Sequence, residues 1–389
     1  MSKVLLVSET VPPMVSSVAV VLGRVFKMFP KGSLAILTGH PANSQYGLYE
    51  GGQYLDGEHV YADLPGFLAK RRWTWWFSGF YELLRLPLIV WKGYWITKRR
   101  KIRSLIATTY GGFEVAAYFI SELTKTPLYI YLLDAYEEIE QQPIKKLIRH
   151  IFARRLFGSA VKIFVMSEPL RELLKEIYGV NSIVIPHPVE LSKYSITEHK
   201  ENLCGKYKIV YTGMIYDAHR DCFLDLIKAI QDLPDVTLHI YTPRPVTSLA
   251  AEGIHGNNVK VSFVSNDEVP AIQKGADILF LPMSFNSPYP EVIRTASPGK
   301  ISEYLAAGRP ILVYAPAFSY VAQYARSCGF GLVVDQKDPS KLRQSISRLL
   351  NNEKLRTELV AKSLETATFH EASRVSLLLM HEMGVNISE

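Results

Sequence analysis

The sequence predicts an α/β protein of two doubly wound domains, on three observations. Short apolar runs alternate with helical stretches, which is the pattern of a parallel sheet covered on both faces. The alternation stops at a segment carrying two prolines and then restarts. The chain has 389 residues, 48% of them hydrophobic, too long for one ordinary domain and apolar enough for two buried cores.

Each element has its own signal. Val4 to Ser8 is a continuous apolar run followed by Pro12 and Pro13, and a helical pattern runs from about Ser16 to Met28. Leu34 to Thr38 and Ser104 to Thr108 are further strands. Gly111 and Gly112 lead into an apolar helix ending near Leu123, and Leu128 to Leu133 and Lys162 to Met166 close the first set. The boundary lies in Ile183 to Ser195, within which the first domain ends at 186. The second set has strands at Lys208 to Thr212, Val236 to Tyr241, Lys260 to Val264, Ile278 to Leu281, Ile311 to Tyr314 and Gly331 to Val334, with a helix over Phe223 to Gln231. Residues 187–368 form this second domain, and the chain is helical from Lys341 to Met383 with a break near Thr368 to His370. Two such Rossmann-like sheets are expected to face a central cleft at the carboxyl ends of their strands, where these folds bind ligands.

The formal net charge of +7 favours anionic partners: nucleotides, nucleic acid or acidic lipid head groups. Cys204, Cys222 and Cys328 have neither metal-ligand spacing nor a disulfide framework, which suits a reducing compartment. The opening run reads as a buried strand, not a signal peptide. The most apolar long stretch, Leu83 to Ile96, is interrupted by Arg85, Pro87 and Lys92, so no membrane span is expected and the chain is placed in the cytoplasm.

The sharpest motif is SPGKISEYLAAGRPIL, Ser297 to Leu312. Ser297 reads as an N-cap, Pro298 as the first helical residue and Gly308 as the terminator. The N-terminal amides and dipole suit a phosphate, Gly299 lets an anion approach the backbone, and Lys300 adds a full charge. Lys300 and Glu303, three apart, share one face, so a cation for a diphosphate stands beside a carboxylate for ribose hydroxyls. By itself the motif is equally a capped surface helix with an ion pair.

With its surroundings, the motif resembles the carboxy-terminal domain of family-4-like retaining glycosyltransferases (glycosyl transferases group 1), which have the GT-B fold. The resemblance is carried by Ala276 to Pro282 before the motif, Cys328 to Leu350 after it and Ile209 to Arg220 upstream, with Val165 to Val189 between the domains, and more loosely in the first domain by the first strand. It implies that Glu303 is the second glutamate of the family's E-x7-E pattern and binds the donor ribose. It gives Lys300 and the amides near Ser297 and Gly299 the diphosphate, Gly213 a close backbone approach to the phosphates, and Arg220, on the loop into the next helix, the role of a second cation. It sets Val264 and Ser265 against the base through backbone atoms, and returns the last helix, 369–389, to the first domain. Two departures stand out. Thr295 occupies the position of the first glutamate, with Glu291 four residues too early. Val15, Ser16 and Ser17 stand where the family has paired glycines; Ser16 and Ser17 either receive a phosphate or simply cap a helix.

The chemistry implied is sugar transfer from a nucleoside diphosphate sugar with retention of anomeric configuration. There is no D-x-D motif, so no metal is expected, and no cofactor either, the sugar nucleotide being a substrate. Lys300 and Arg220 would neutralise the leaving diphosphate. Asp134 and Glu138 follow a buried strand in a segment resembling the family's D-L-W-P-E. Asp134 would position sugar or acceptor with help from Glu138, or else cap the next helix.

All five tryptophans fall between Trp73 and Trp95, and Lys70 to Arg103 holds ten Lys or Arg against one acid, Glu82. Rings at head-group level with cations on anionic lipid are the needs of an interfacial segment. A second basic stretch spans Ile144 to Leu156. No nucleic-acid module is recognisable. The expected partners are therefore a nucleoside diphosphate sugar, a lipid-linked acceptor and the anionic inner face of the cell membrane, in polysaccharide biosynthesis. The rival readings are a sugar-nucleotide epimerase of the same fold and a non-catalytic sugar-nucleotide-binding subunit.

Overall fold

The computed structural model describes residues 3–14, 16–39, 52–64, 74–109, 112–135, 142–195 and 207–385, apart from the side chains of residues 74–78, 217 and 218. It divides into two compact units, Met1–Pro186 with Ala372–Glu389, and His187–Glu371.

The first unit runs β1 (Val4–Ser8), α1 (Ser17–Phe26), β2 (Leu34–Thr38), β3 (Glu58–Tyr61), α2 (Thr74–Arg100), β4 (Ser104–Thr108), α3 (Phe113–Thr124), β5 (Leu128–Leu132), α4 (Pro143–Ser159), β6 (Lys162–Val165), α5 (Glu168–Tyr178) and β7 (Ile183–Val184). Its seven strands are ordered β3-β2-β1-β4-β5-β6-β7 and every described pairing is parallel. Alternation along each strand feeds two cores. Leu5 and Val7 face one, with Ile89, Phe113, Ile120, Leu156 and Leu170. Val4 and Leu6 face the other, with Leu22 and Phe26. Both faces are covered, which is why the strands read as unbroken apolar runs.

The second unit begins with the short α6 (Ser192–Ser195) and continues with β8 (Tyr207–Thr212), α7 (Asp217–Ile230), β9 (Val236–Tyr241), α8 (Val246–Ala251), β10 (Val259–Ser262), α9 (Val269–Lys274), β11 (Ile278–Pro282), α10 (Pro290–Thr295), α11 (Lys300–Ala307), β12 (Ile311–Tyr314), α12 (Tyr320–Cys328), β13 (Gly331–Val334), α13 (Pro339–Asn351), α14 (Glu353–Ala367) and a 3-10 turn at Thr368–His370. Its six-stranded sheet has the order β10-β9-β8-β11-β12-β13. Ile209, Tyr211, Phe280 and Tyr314 enter one core, and Val210, Leu279, Leu281 and Val313 the other.

The helix α15 (Ala372–Glu382) belongs to the first unit. Val375, Leu379 and Met380 join the core of α1, Ser376 Oγ donates to the Val25 carbonyl, and Lys162 pairs with Glu382 at 2.7 Å. In each sheet the winding direction reverses once, between β1 and β4 and between β8 and β11. In open α/β sheets the crevice at the carboxyl side of that reversal is the ligand position.

Several elements differ from the sequence reading or are absent from it, β10 among them, which ends at Ser262 instead of Val264. α2 continues through Pro87 as one helix of 27 residues, because an isolated proline removes one N–H without ending a helix packed along its length. α7 begins at Asp217, six residues before Phe223. β3 is a half-buried strand that, among the described residues, pairs on its β2 side alone and forms the sheet edge. No helix among the described residues is long and apolar enough to cross a membrane.

Candidate functional site

The reversal in the second sheet lies at the carboxyl end of β8. The strand ends at Gly213, whose φ of 114° falls in the region that disfavours any side chain. Its amide donates to Tyr241 O at 2.8 Å, and a Cβ there would stand 3.7 Å from Lys300 Cε. Lys300, the first residue of α11, is half-buried with its ammonium 5.0 Å from the centre of the Tyr211 ring. Among the described residues that ammonium makes no hydrogen bond or salt bridge. Loss of hydration pushes Lys300 down to about 8, and the negative charge of Glu303 pulls partly the other way. Buried His219 lies nearby. Burial, and then the charge of Lys300, hold it well below its ordinary value, so it is neutral.

Glu303 stands one turn along α11. Gln273 Nε2 donates to its Oε2 at 3.3 Å and to Thr212 Oγ1 at 2.8 Å. The Thr212 amide donates to Tyr304 Oη at 3.1 Å. Gly213, Lys300 and Glu303 are thus assembled at one strand end by a buried polar frame. Sequence reasoning missed the frame residues, Thr212, Gln273 and Tyr304, together with Tyr211 and His219. Only the aromatic and histidine content of the Tyr211 to Arg220 stretch hinted at the last two.

Other expected residues are engaged elsewhere. Ser297 is buried and is not the cap: α11 starts three residues later, with Gly299, which has no side chain to cap with, in the cap position, and Ile301 N bonds to Pro298 O at 2.9 Å. Thr295 is buried and donates back to Glu291 O at 2.7 Å, within its own helix. Glu291 pairs with Arg294 at 2.6 Å. Arg220 lies in the first turn of α7 instead of a loop, 48% exposed and 4.0 Å from Glu252. That carboxylate chiefly serves Arg244, which donates to it through both terminal nitrogens. Val264 is half-buried in the loop after β10, while the amide and hydroxyl of Ser265 both donate to Glu268, at 2.9 and 2.6 Å.

In the first unit, Ser16 caps α1 by accepting from Ala19 N at 3.0 Å, and its hydroxyl donates to Thr10 Oγ1 at 3.1 Å. Ser17 is exposed at the helix start. Asp134 is half-buried just beyond β5; α4 is capped by Gln142, which accepts from Lys145 N at 2.6 Å, not by Asp134. Glu138, Trp73 and Lys70 lie outside the described residues. A second cluster unseen in the sequence joins α2 to the carboxyl edge of the first sheet. Buried Arg85 bonds Glu9, Asp63 and Glu82 at 3.1, 3.2 and 2.8 Å, and Lys145 reaches Glu82 at 3.2 Å. Burial outweighs the charge of Arg85 and pushes the Glu82 carboxyl up to about 7.

α2 also presents an exposed apolar line. Phe80, Leu84, Trp91 and Trp95, spaced by four, seven and four, share one helical face, and Trp91 and Trp95 are 58% and 57% exposed. Lys98 and Arg99 are exposed at its end, the latter paired with Glu58. On α4, Leu147 and Ile151 are exposed among Lys146, Arg154 and Arg155.

The architecture is the GT-B fold, two Rossmann-like units in one chain. Residues 206–352, within the second unit, match the family model for Glycosyl transferases group 1. Among solved structures, HepE from Anabaena in complex with UDP-glucose is similar at 12% identity and a TM-score of 0.70, over 99% of this chain and 100% of that one. The N-terminal domain of Candida albicans trehalose-6-phosphate phosphatase is similar at 11% identity and a TM-score of 0.70, over 100% and 97%. The α,α-trehalose 6-phosphate synthase of Burkholderia multivorans follows at 11% identity and 0.67, over 99% and 96%. No curated protein sequence matches the chain.

Proposed function

We propose that this protein is a retaining glycosyltransferase that moves a sugar from a nucleoside diphosphate sugar to a lipid-linked saccharide or glycolipid at the cytoplasmic face of the membrane. The observation that carries the reading is Lys300. It is a half-buried ammonium without an acid partner among the described residues, beside Gly213 at the sheet reversal and one turn from Glu303. A cation held there without a counter-ion is suited to a phosphate.

In the reaction, the bond from the anomeric carbon to the diphosphate oxygen breaks, and charge develops on the leaving phosphate. Lys300 and the amino-terminal amides of α11 stabilise it, with Arg220 as a second cation once it leaves Glu252. The acceptor oxygen bonds to the anomeric carbon on the same face, and its proton passes to a leaving-phosphate oxygen. No protein base and no metal is required by this route. Glu303 binds the ribose hydroxyls, and Asp134 and Glu138 orient the acceptor. The exposed Phe80, Leu84, Trp91 and Trp95 line, the basic end of α2 and the exposed Lys146, Arg154 and Arg155 of α4 supply the contact with an anionic bilayer.

The test is incubation of the purified protein with a panel of radiolabelled sugar nucleotides, UDP-glucose first because the similar HepE structure holds it, together with a membrane lipid extract. Label moving into the lipid fraction is the expected result. An isomerised donor with no transfer indicates an epimerase, and binding without turnover a non-catalytic subunit; either overturns the proposal.

A further inference from the structure

Gln273 has no exposed surface at all, which is costly for a primary amide unless its polar atoms are satisfied. Here they are, from three separate parts of the chain. Tyr194 Oη donates to Gln273 Oε1 at 2.7 Å, and the Glu303 carboxylate, which can only accept, sets which way round the amide sits. The two Nε2 hydrogens then go to Thr212 Oγ1 at 2.8 Å and Glu303 Oε2 at 3.3 Å. Tyr194 is 79 residues away in sequence, Thr212 is 61 and Glu303 is 30. An apolar side chain of the same length would fill this space without needing three partners. Of the four groups joined, only the Glu303 carboxylate stands on the face of α11 that carries Lys300.

We infer that Gln273 is a positioning residue for the ribose of the nucleotide donor: it fixes the Glu303 carboxylate and ties it to the strand end that leads into Gly213. This rests on the reading of Glu303 as the ribose ligand. A carboxylate held in one orientation accepts from a hydroxyl at one place and is left unpaired by a sugar lacking that hydroxyl. Gln273 thus makes the site discriminate ribose from deoxyribose without touching the nucleotide.

The experiment is equilibrium binding of UDP, ADP and GDP, their 2′-deoxy and 3′-deoxy counterparts, and inorganic pyrophosphate, to the full chain and to Gln273→Met. For whichever base binds, the unaltered protein should prefer the ribonucleotide over one of the deoxy forms by about tenfold, the scale of one hydrogen bond to a charged group. Gln273→Met should lose about that factor for the ribonucleotide while that deoxy form and pyrophosphate stay within about twofold, so the preference collapses. An equal loss for all three ligands would make Gln273 merely structural and overturn the inference, as would an unaltered protein that shows no preference. If the unaltered protein binds none of the diphosphates, the donor-site reading itself fails and this inference with it. Should Gln273→Met not fold, Tyr194→Phe keeps the amide but removes the hydrogen bond that anchors its oxygen. The same selective loss is then expected, and a uniform one refutes.

Discussion

Replacing Lys300 with methionine removes the ammonium and keeps most of the chain length. A hydrogen bond to a charged group is worth about 1.5–3 kcal/mol, or roughly 10- to 150-fold in Kd. Lys300→Met should therefore weaken nucleoside diphosphate binding by about that factor. A second signature follows from the lysine's lowered proton affinity. In the free protein it titrates at about 8. A bound diphosphate favours the charged form, so above that pH binding must take up a proton, and Kd rises by about tenfold between pH 7 and pH 9. In Lys300→Met this pH dependence should vanish. Stability moves the opposite way to affinity. Lys300 has a lower pKa folded than unfolded, so between about pH 8 and its ordinary value of 10.5 the unfolded chain holds more protons and stability rises with pH. Removing a partly desolvated charge should therefore leave the Tm at pH 7 no lower than in the parent. Titration calorimetry from pH 6.5 to 9.5, with Tm measured in the same buffers, reads both quantities. A flat pH profile in the parent, or a variant binding within about twofold of it, would refute the phosphate role of Lys300.

Other expectations are more local. Tyr304→Phe leaves the buried Thr212 amide without its acceptor and should cost about 1–3 kcal/mol, seen as a lower denaturant midpoint at unchanged slope; an unchanged midpoint contradicts the buried frame. Gly213→Ala forces a side chain onto a φ of 114° and should cost about 1–3 kcal/mol by the same measurement, with no loss if the strand end relaxes freely. Trp91→Ser with Trp95→Ser removes two exposed rings, so Tm should hold while sedimentation with anionic liposomes falls several-fold; equal sedimentation of both proteins rules out the α2 face as the membrane contact.

The strands were legible because both faces of each sheet are covered, so Val4 to Ser8 or Ile311 to Tyr314 had to be apolar throughout. β3 was not, since Glu58 to Tyr61 is a half-buried edge with a glutamate and a histidine in it. α2 was obscured because Pro87 and an aromatic stripe facing outward break the usual amphipathic signal. Lys300 and Glu303 could be read from one short motif because their spacing alone puts them on one face. The frame that holds Glu303 could not. Gln273 gives no periodic signal, and its partners at Tyr194 and Thr212 are brought to it only by the folded sheet. Ser297 misled for a local reason: a serine before proline is a good cap in isolation, but here the chain makes a tight turn first and the helix opens at Lys300.

A crystal structure of the protein soaked with UDP-glucose, or with whichever nucleoside diphosphate binds in solution, tests the central claim most directly. The account predicts the diphosphate within hydrogen-bonding reach of Lys300 Nζ, beside Gly213, with the ribose hydroxyls on Glu303. Diphosphate density at another strand end, with Lys300 untouched, would contradict it.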